Sequence, residues 1–497
     1  MLTIIAPDTW QGDLAAVLAR YDRLDELVSL ASTLPDGHAA TLRVDSDGIS
    51  FALDWQRMLP PYIFPEHVPY TPERLLGLVF MYLGNYERTY ELLEASPALL
   101  QEVDIVNRLQ QGIEVSPAEL SVEYAPFDEY RLMHNQAILR HYGSAETQAE
   151  EVHYFYQEAM LAAPDADYMT FSAWHYATLL TDLGMLGEAA QLLDTALRKA
   201  VSAGARTELR AAQCAVWMRQ LAVPYDAALL DKLKQQLWEL LQVYEQQTRQ
   251  VELALLLVDA AQIANISQSF AESLAYVNRA IDLLRREEQP ALLAQAQYRK
   301  GVLLYTWAKN GQPQFFRAAM EAYQEALKVF TRANAPLVFA EIHHHLGVIY
   351  SEIPDEVKRK RVWAAVSSSS FQEALRIYTK EAYPYEYAMV CNSYGNALTK
   401  YPAALRSDNY QQALAYYQEA LDVRRADTYP LERALTLLNH IEACWYAEND
   451  ADTFNEGRYL DMLAKAREVK DLVDDPALLA DADRHLAQLA ALRQLYH

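Results

Sequence analysis

Cysteine, basic side chains and long apolar runs are all scarce in this chain, and each scarcity closes off a class of protein. The three cysteines, Cys214, Cys391 and Cys444, lie far apart and form no CxxC pair, so neither a disulfide framework nor a zinc site is signalled. A cytoplasmic, reducing setting is expected. Lys and Arg number 43 against 67 Asp and Glu, a formal net charge of -24, which repels nucleic-acid phosphate and anionic lipid. Nucleic acid is therefore not an expected partner. No run approaches the roughly 18 apolar residues of a membrane helix, and the opening MLTIIAPDTWQGD lacks the basic and apolar regions of a signal peptide. Membrane insertion and secretion are not expected. The signatures GxxxxGK[ST], GxGxxG, HExxH and GxSxG are also missing, so the sequence offers no catalytic set and implies no cofactor and no resident metal.

What is present is apolar residue, 52% of 497, with 15 Gly and 20 Pro, a balance that fits a chain folded nearly end to end. That length calls for several domains or for one architecture that grows by repetition. Repetition is visible. Pro290, Pro336, Pro384 and Pro430 are spaced by 46, 48 and 46 residues. Four residues after each stands an alanine (Ala294, Ala340, Ala388, Ala434), and eleven after the first three a glycine (Gly301, Gly347, Gly395), with Ile441 in the fourth unit. Ten residues before each proline another alanine recurs, in NRAI once and QEAL three times. Between these landmarks Ala319, Tyr323 and Ala326, and likewise Ala413, Tyr417 and Ala420, fall at i, i+4 and i+7, a small-aromatic-small stripe on one helix face.

A glycine-bearing first helix, a second helix with that stripe and a proline closing the unit resemble the tetratricopeptide repeat, whose period is about 34 residues. Upstream, Gly77 to Ser96, Ala177 to Ala196 and Ala261 to Ala280 each span 19 residues; the later units span 25, 27 and 25, as if the first helix or the turn were lengthened. Such long periods are similar to those of large bacterial repeat arrays. The resemblance covers residues 71 to 470, with an irregular gap near 205 to 245. It implies an all-α, right-handed superhelical solenoid of antiparallel helix pairs. The expected organisation is an N-terminal cap over 1-70 and degenerate hairpins over 71-245. An array over 246-470 follows, with long units at 290-335, 336-383, 384-429 and 430-470, and then a capping helix over 471-497.

In the cap, residues 12 to 32 read as a helix, and Thr41 to Leu53 alternate around Asp47-Gly48 as a β-hairpin, the one strand pair the sequence signals. A calcium loop counted from Asp45 would need an acid at Gln56, so the hairpin is preferred.

The resemblance implies a concave surface lined by first helices that holds a protein or peptide. Its outward positions fall on Tyr298, His344 and Asn392, then Val302, Val348 and Asn396, then Tyr305, Ser351 and Thr399, with Lys400 extending the last helix. Tyr298, Tyr305, His344, Asn392, Asn396 and Lys400 are the candidate groove, because amides both donate and accept and so suit a peptide backbone. The family's carboxylate clamp is matched in part. Lys358, Arg359, Lys360 and Arg361 form the one dense basic run, a solvated turn or a docking patch for an acidic surface. His343, His344 and His345 cannot converge on one cation, since neighbours on a helix point about 100° apart. The expected function is that of a non-catalytic scaffold, adaptor or assembly factor. A peptide-responsive sensor is the alternative and an enzyme with scattered residues the third; a homo-oligomer stays open.

Overall fold

The computed structural model describes residues 2–33, 41–56, 58–120, 129–143, 148–222, 224–354, 356–403, 408–448 and 454–495, with Val357 and Lys358 described by backbone alone. The chain forms two compact units, Met1–Asp259 and Ala260–His497.

Unit 1 opens on a mixed sheet in the order β2-β1-β3-β4. β1 (Leu2–Ile5) runs parallel to β2 (Val28–Ala31) and β3 (Leu42–Asp45), and β3 turns into antiparallel β4 (Gly48–Phe51). The expected hairpin is present: Asp45 sits opposite Gly48, and the Asp45 carboxylate accepts from the Asp47 N–H at 2.9 Å. Gly48 has φ +130°, and a Cβ there would meet the Val68 carbonyl oxygen at 2.4 Å, so glycine is required. Two expectations about this cap are corrected. The hairpin is half of a four-stranded sheet, and the helix read over residues 12 to 32 is instead α1 (Asp8–Leu18), a short α2 (Leu24–Leu27) and β2. Strands of four residues are too short to show a period, and the parallel partner of β1 lies some 26 residues away in sequence.

Helices follow. α3 (Pro72–Tyr82) pairs with α4 (Tyr86–Leu93), α5 (Pro97–Gln110) stands between pairs, α6 (Glu129–Tyr142) pairs with α7 (Ala149–Ala162), α8 (Ala166–Asp182) with α9 (Leu186–Lys199), and α10 (Ala203–Gln220) with α11 (Ala227–Gln246). The stretch from 205 to 245, irregular in sequence, is thus an ordinary helix pair. The boundary between the units falls inside α12 (Gln250–Ile266).

Unit 2 continues with α13 (Phe270–Arg286) and then the pairs α14 (Pro290–Lys309) with α15 (Phe316–Ala326), α16 (Pro336–Glu352) with α17 (Val357–Leu375), α18 (Pro384–Leu398) with α19 (Asn409–Val423), and α20 (Pro430–Tyr446) with α21 (Glu456–Leu472); α22 (Pro476–Leu495) comes last. The four periodic prolines occupy equivalent places, each the first residue of a first helix, so they open units rather than close them. There the missing N–H costs nothing and φ is already helical.

The small-residue stripes do what their spacing requires. Cβ atoms added at Gly301, Gly347 and Gly395 would lie 2.6, 2.9 and 2.5 Å from the rings of Tyr323, Phe371 and Tyr417, so each aromatic of a second helix packs onto bare backbone of the first. Hydroxyls stitch paired helices as well: Thr89 donates to the Gly77 carbonyl at 3.1 Å, Ser273 to Ala261 at 2.7 Å and Ser367 to Gly347 at 2.5 Å. Residues 77 and 89 are twelve apart, as are 261 and 273, whereas 347 and 367 are twenty apart. In that long unit the extra residues extend the start of α17, a second helix, rather than the first helix. Among the described residues no helix is long and apolar enough to cross a membrane.

Candidate functional site

The candidate groove residues of unit 2 are largely engaged by neighbouring helices. His344 is 5% exposed, with Nε2 at 2.9 Å from Ser393 Oγ on α18, and burial pushes its pKa down to about 3. It is a packing residue between first helices, which corrects its reading as a partner contact. Its neighbours diverge as helix geometry demands: His343 lies against Phe339, and His345 stacks on Tyr305 at 4.7 Å while meeting the Tyr323 hydroxyl at 2.8 Å.

Asn392 Oδ1 accepts from Asn439 on α20 at 3.3 Å, and Asn396 Oδ1 accepts from the Tyr417 hydroxyl at 2.7 Å. Tyr298 is half-buried, its phenol pushed up by burial and by its hydrogen bond to Glu341. Lys400 and Lys309 hold Glu352 at 2.6 and 3.1 Å, and Tyr305 feels the same carboxylate. Burial alone would raise Glu352, but the two lysines hold it below its ordinary range. So Tyr305 and Lys400 come together around Glu352, at the C-terminal ends of successive first helices.

The basic run lies in the first turns of α17 rather than in a turn, with Arg359, Lys360 and Arg361 exposed. The Lys358 side chain lies outside the described residues. Cations at a helix N-terminus oppose the macrodipole, and no acid stands in that first turn.

Unit 1 holds a more developed site. Residues 52–56 and 58–67 follow β4 as a loop whose ends are fastened together, Ile49 and Val68 exchanging both backbone hydrogen bonds at 2.8 Å. The Tyr62 N–H bonds the Pro60 carbonyl at 2.7 Å, a tight turn at Pro61, and residues 62–65 follow without bend, helix or strand. That stretch lies along α6. Asn135 grips one residue with both ends of its amide, accepting from the Ile63 N–H at 2.9 Å and donating to the Ile63 carbonyl at 2.8 Å. Arg131 Nε donates to the same carbonyl at 2.9 Å. The Pro61 carbonyl can only accept, so His134 Nε2 carries the hydrogen in their 2.8 Å bond, and Nδ1 lies 2.8 Å from Ser172 Oγ. Burial moves His134 down to about 4, which keeps it neutral in this role.

Side chains of the loop are read as well. The Tyr62 hydroxyl donates to Glu102 at 2.5 Å, and Arg131 bonds the same carboxylate oxygen at 2.6 Å. Glu102 is fully buried, so this pair is costly to leave unmade. Trp55 stacks on Trp174 at 5.5 Å and meets Phe171 edge-on at 5.1 Å. Asp54 accepts from the Leu59 and Gln56 N–H groups at 2.8 and 3.1 Å and is pushed up to about 6 by burial.

The loop does not fill the surface. A cavity of about 220 Å³ remains beside Asp54, Leu59, Pro61, Trp174 and His175. A further one of about 390 Å³ continues over α8, α10 and α12, floored by Trp174, Ala211, Ala212 and Leu256. At its edge Glu208 is held by Arg249 and by the Tyr244 hydroxyl, at 2.5 and 3.0 Å, while Asp182 pairs with Arg219 at 3.5 Å. The sequence reading missed Glu102, Arg131, His134, Asn135 and Ser172. One signal was available: three prolines and two aromatics within PPYIFP mark an extended segment that must be held by something.

Among the described residues one set could present ligands to a metal: His440 and Cys444 on α20 and Asp461 on α21 have ligand atoms within 4.8 Å of one another. Asp461 is already bonded to Lys465, and burial pushes the Cys444 thiol up to about 11, so a cation would have to displace both a lysine and a proton.

No family model matches the chain, and no curated protein matches it. Solved structures do. A signal transduction ATPase with numerous domains (STAND) protein with a tetratricopeptide repeat sensor, from Pyrococcus horikoshii, is 12% identical, with 97% of this chain and 82% of that one covered and a TM-score of 0.50. The C-terminal part of a TPR repeat-containing protein from Cytophaga hutchinsonii is 13% identical over 62% of this chain and 98% of its own, with a TM-score of 0.38. Yeast Tom70 is 12% identical over 85% and 88%, with a TM-score of 0.29. At 12% identity the likeness to the Pyrococcus horikoshii structure speaks to fold alone, and with the paired helices, the glycine-aromatic contacts and the equivalent prolines it leads to one statement: this chain is a tetratricopeptide-type helical repeat array, preceded by a small mixed sheet.

Proposed function

We propose that the chain is a non-catalytic interaction scaffold, adaptor or assembly factor that holds a polypeptide segment or subunit on surfaces formed by its first helices. The observation that supports this reading is the Asn135 clasp on Ile63. An amide that satisfies both backbone groups of one residue recognises extended chain without demanding a particular side chain there, and α6 uses it on a segment that belongs to no helix or strand. The net charge of -24 favours basic or neutral polypeptides over nucleic acid. Three buried, unpaired cysteines suit a reducing compartment such as the cytoplasm. Tyr298, Tyr305, Asn392, Asn396 and Lys400 in unit 2, and the basic start of α17, are secondary candidates for contact.

The test is a display library of random 15-residue peptides selected on the immobilised full chain. A scaffold enriches one or a few motifs that bind one to one in solution. A library that yields no motif on repeated selection, or a turnover activity abolished by one side-chain change in a folded variant, refutes the proposal. A second reading, a peptide-responsive sensor, is favoured by the loop already lying in unit 1.

A further inference from the structure

We infer that residues 58–66 are a resident ligand mimic, and that the surface of α5, α6 and α8 beneath them is a binding site for an extended partner peptide of the same chemistry: tyrosine, one residue, then an aromatic followed by proline. The inference deepens the scaffold reading and rests on it.

Three observations carry it. The polar contacts are of the kind that recognise a peptide, one clasped backbone amide, one carbonyl on His134 and one phenol on a buried carboxylate, while the Tyr62 and Phe64 rings are buried with the apolar core. The loop's ends are also joined apart from its seat, because the Ile49–Val68 bridge closes its base and the β3–β4 register runs without it, its tie to the strands being the Phe64 ring on Phe51 at 4.5 Å. An Ω-like loop with joined ends can leave its seat while the sheet stays intact. Finally, packing around it is incomplete. A cavity of about 220 Å³ adjoins the loop at Asp54, Leu59 and Pro61, and a second of about 390 Å³ over α8, α10 and α12, lined by no loop residue, shares Trp174 and Thr178 with it. A partner longer than the loop has room to continue there.

Specificity follows from the donors and acceptors. Glu102, already sharing its Oε2 with Arg131, accepts a hydroxyl hydrogen, so tyrosine is preferred to phenylalanine at the first aromatic and a phosphorylated tyrosine is repelled. Asn135 requires a free N–H on the next residue, so proline is excluded there. The proline after the second aromatic holds that residue extended before the peptide binds.

The probe is a synthetic peptide with the sequence MLPPYIFPE, and the protein is the full chain. In the wild type the resident loop competes, so binding is weak. In the double variant Trp55→Ala, Tyr62→Ala, whose loop loses both anchors while every groove residue stays, the peptide binds at least about tenfold tighter, as expected when a mostly closed site is opened. Adding Asn135→Ala to that variant removes the gain, and the peptide with phenylalanine for tyrosine binds about tenfold more weakly than the parent. If the double variant keeps its circular dichroism spectrum and thermal transition yet takes up no peptide, the loop is a structural plug and the inference fails.

Should the variant unfold, hydrogen exchange on the wild type decides. The Ile63 amide must exchange through a local opening, faster than the amides of α6, and faster still with the peptide added. Exchange of Ile63 at the rate of the α6 core sinks the inference. The library selection distinguishes this failure from that of the scaffold reading, since motifs captured elsewhere on the chain survive it.

Discussion

Replacing Asn135 with alanine leaves the Ile63 N–H, at 2.9 Å from its acceptor, without that partner, and leaves the Ile63 carbonyl with Arg131 alone. A loss of about 1–3 kcal/mol is expected from urea unfolding, and Asn135→Asp should cost more, because a carboxylate would then face the Ile63 carbonyl. Equal losses for the two would mean that the amide donor contributes nothing. Asp54 gives a different signature. Burial raises it to about 6 against the desire of two backbone N–H groups to keep it charged. A carboxyl whose folded pKa lies above its unfolded value binds its proton more tightly when folded, so its contribution to stability is greatest below about pH 4 and falls as pH rises to about 6. The variant Asp54→Asn, lacking that proton, should gain on the wild type across this window, by an upper limit of order 3 kcal/mol. Melting temperatures compared from pH 4 to pH 8 measure it; a difference that does not vary with pH contradicts the assignment.

At the scale of helices, the pairing of glycine with an aromatic sets what the array tolerates. Gly347→Ala drives a methyl to 2.9 Å from the Phe371 ring, whose side chain is fully buried, so about 1–3 kcal/mol of destabilisation is expected. Gly187→Ala, on α9 with nothing within 4 Å of its Cβ, should instead stabilise by about 0.5–1 kcal/mol. Thermal melts of the two variants in parallel check the opposite signs. This same pairing is why the helical part was legible from sequence. Gly301, Gly347 and Gly395 recur because each ring needs bare backbone, and Pro290, Pro336, Pro384 and Pro430 recur because each opens a helix. The sheet was half legible: the Asp47-Gly48 turn announces β3 and β4, whereas β1 and β2 meet through tertiary contact and carry no turn between them. The Ile63 clasp was not legible, since Asn135 looks like any polar residue of a helix until the loop that needs it is placed in space. His344 misled for the converse reason. Its register put it on the groove side, but Ser393 of the next first helix covers it.

Across the whole chain, stability in a repeat array is close to a sum of local terms, each unit answering to its own contacts and those of its neighbours. Acid makes this testable. His134 in unit 1 and His344 in unit 2 are buried and neutral, moved down to about 4 and about 3. A histidine whose folded pKa is depressed supports the fold fully above its unfolded value near 6.5 and loses that support as pH falls toward the folded value, at about 1.4 kcal/mol for each pH unit. Each unit therefore carries its own acid sensitivity, to which His141 in unit 1 and His440 in unit 2, both lowered to about 4, also contribute. Digestion with an acid-active protease at pH 4.5, mapped by mass spectrometry, should show His344→Gln slowing cleavage within residues 336–423 relative to wild type while the cleavage of unit 1 is unchanged. His134→Gln should do the reverse, provided the amide keeps its bond to the Pro61 carbonyl. Protection of both units by either substitution would mean that the array unfolds as one cooperative body, and the description of local, additive repeats would have to be abandoned.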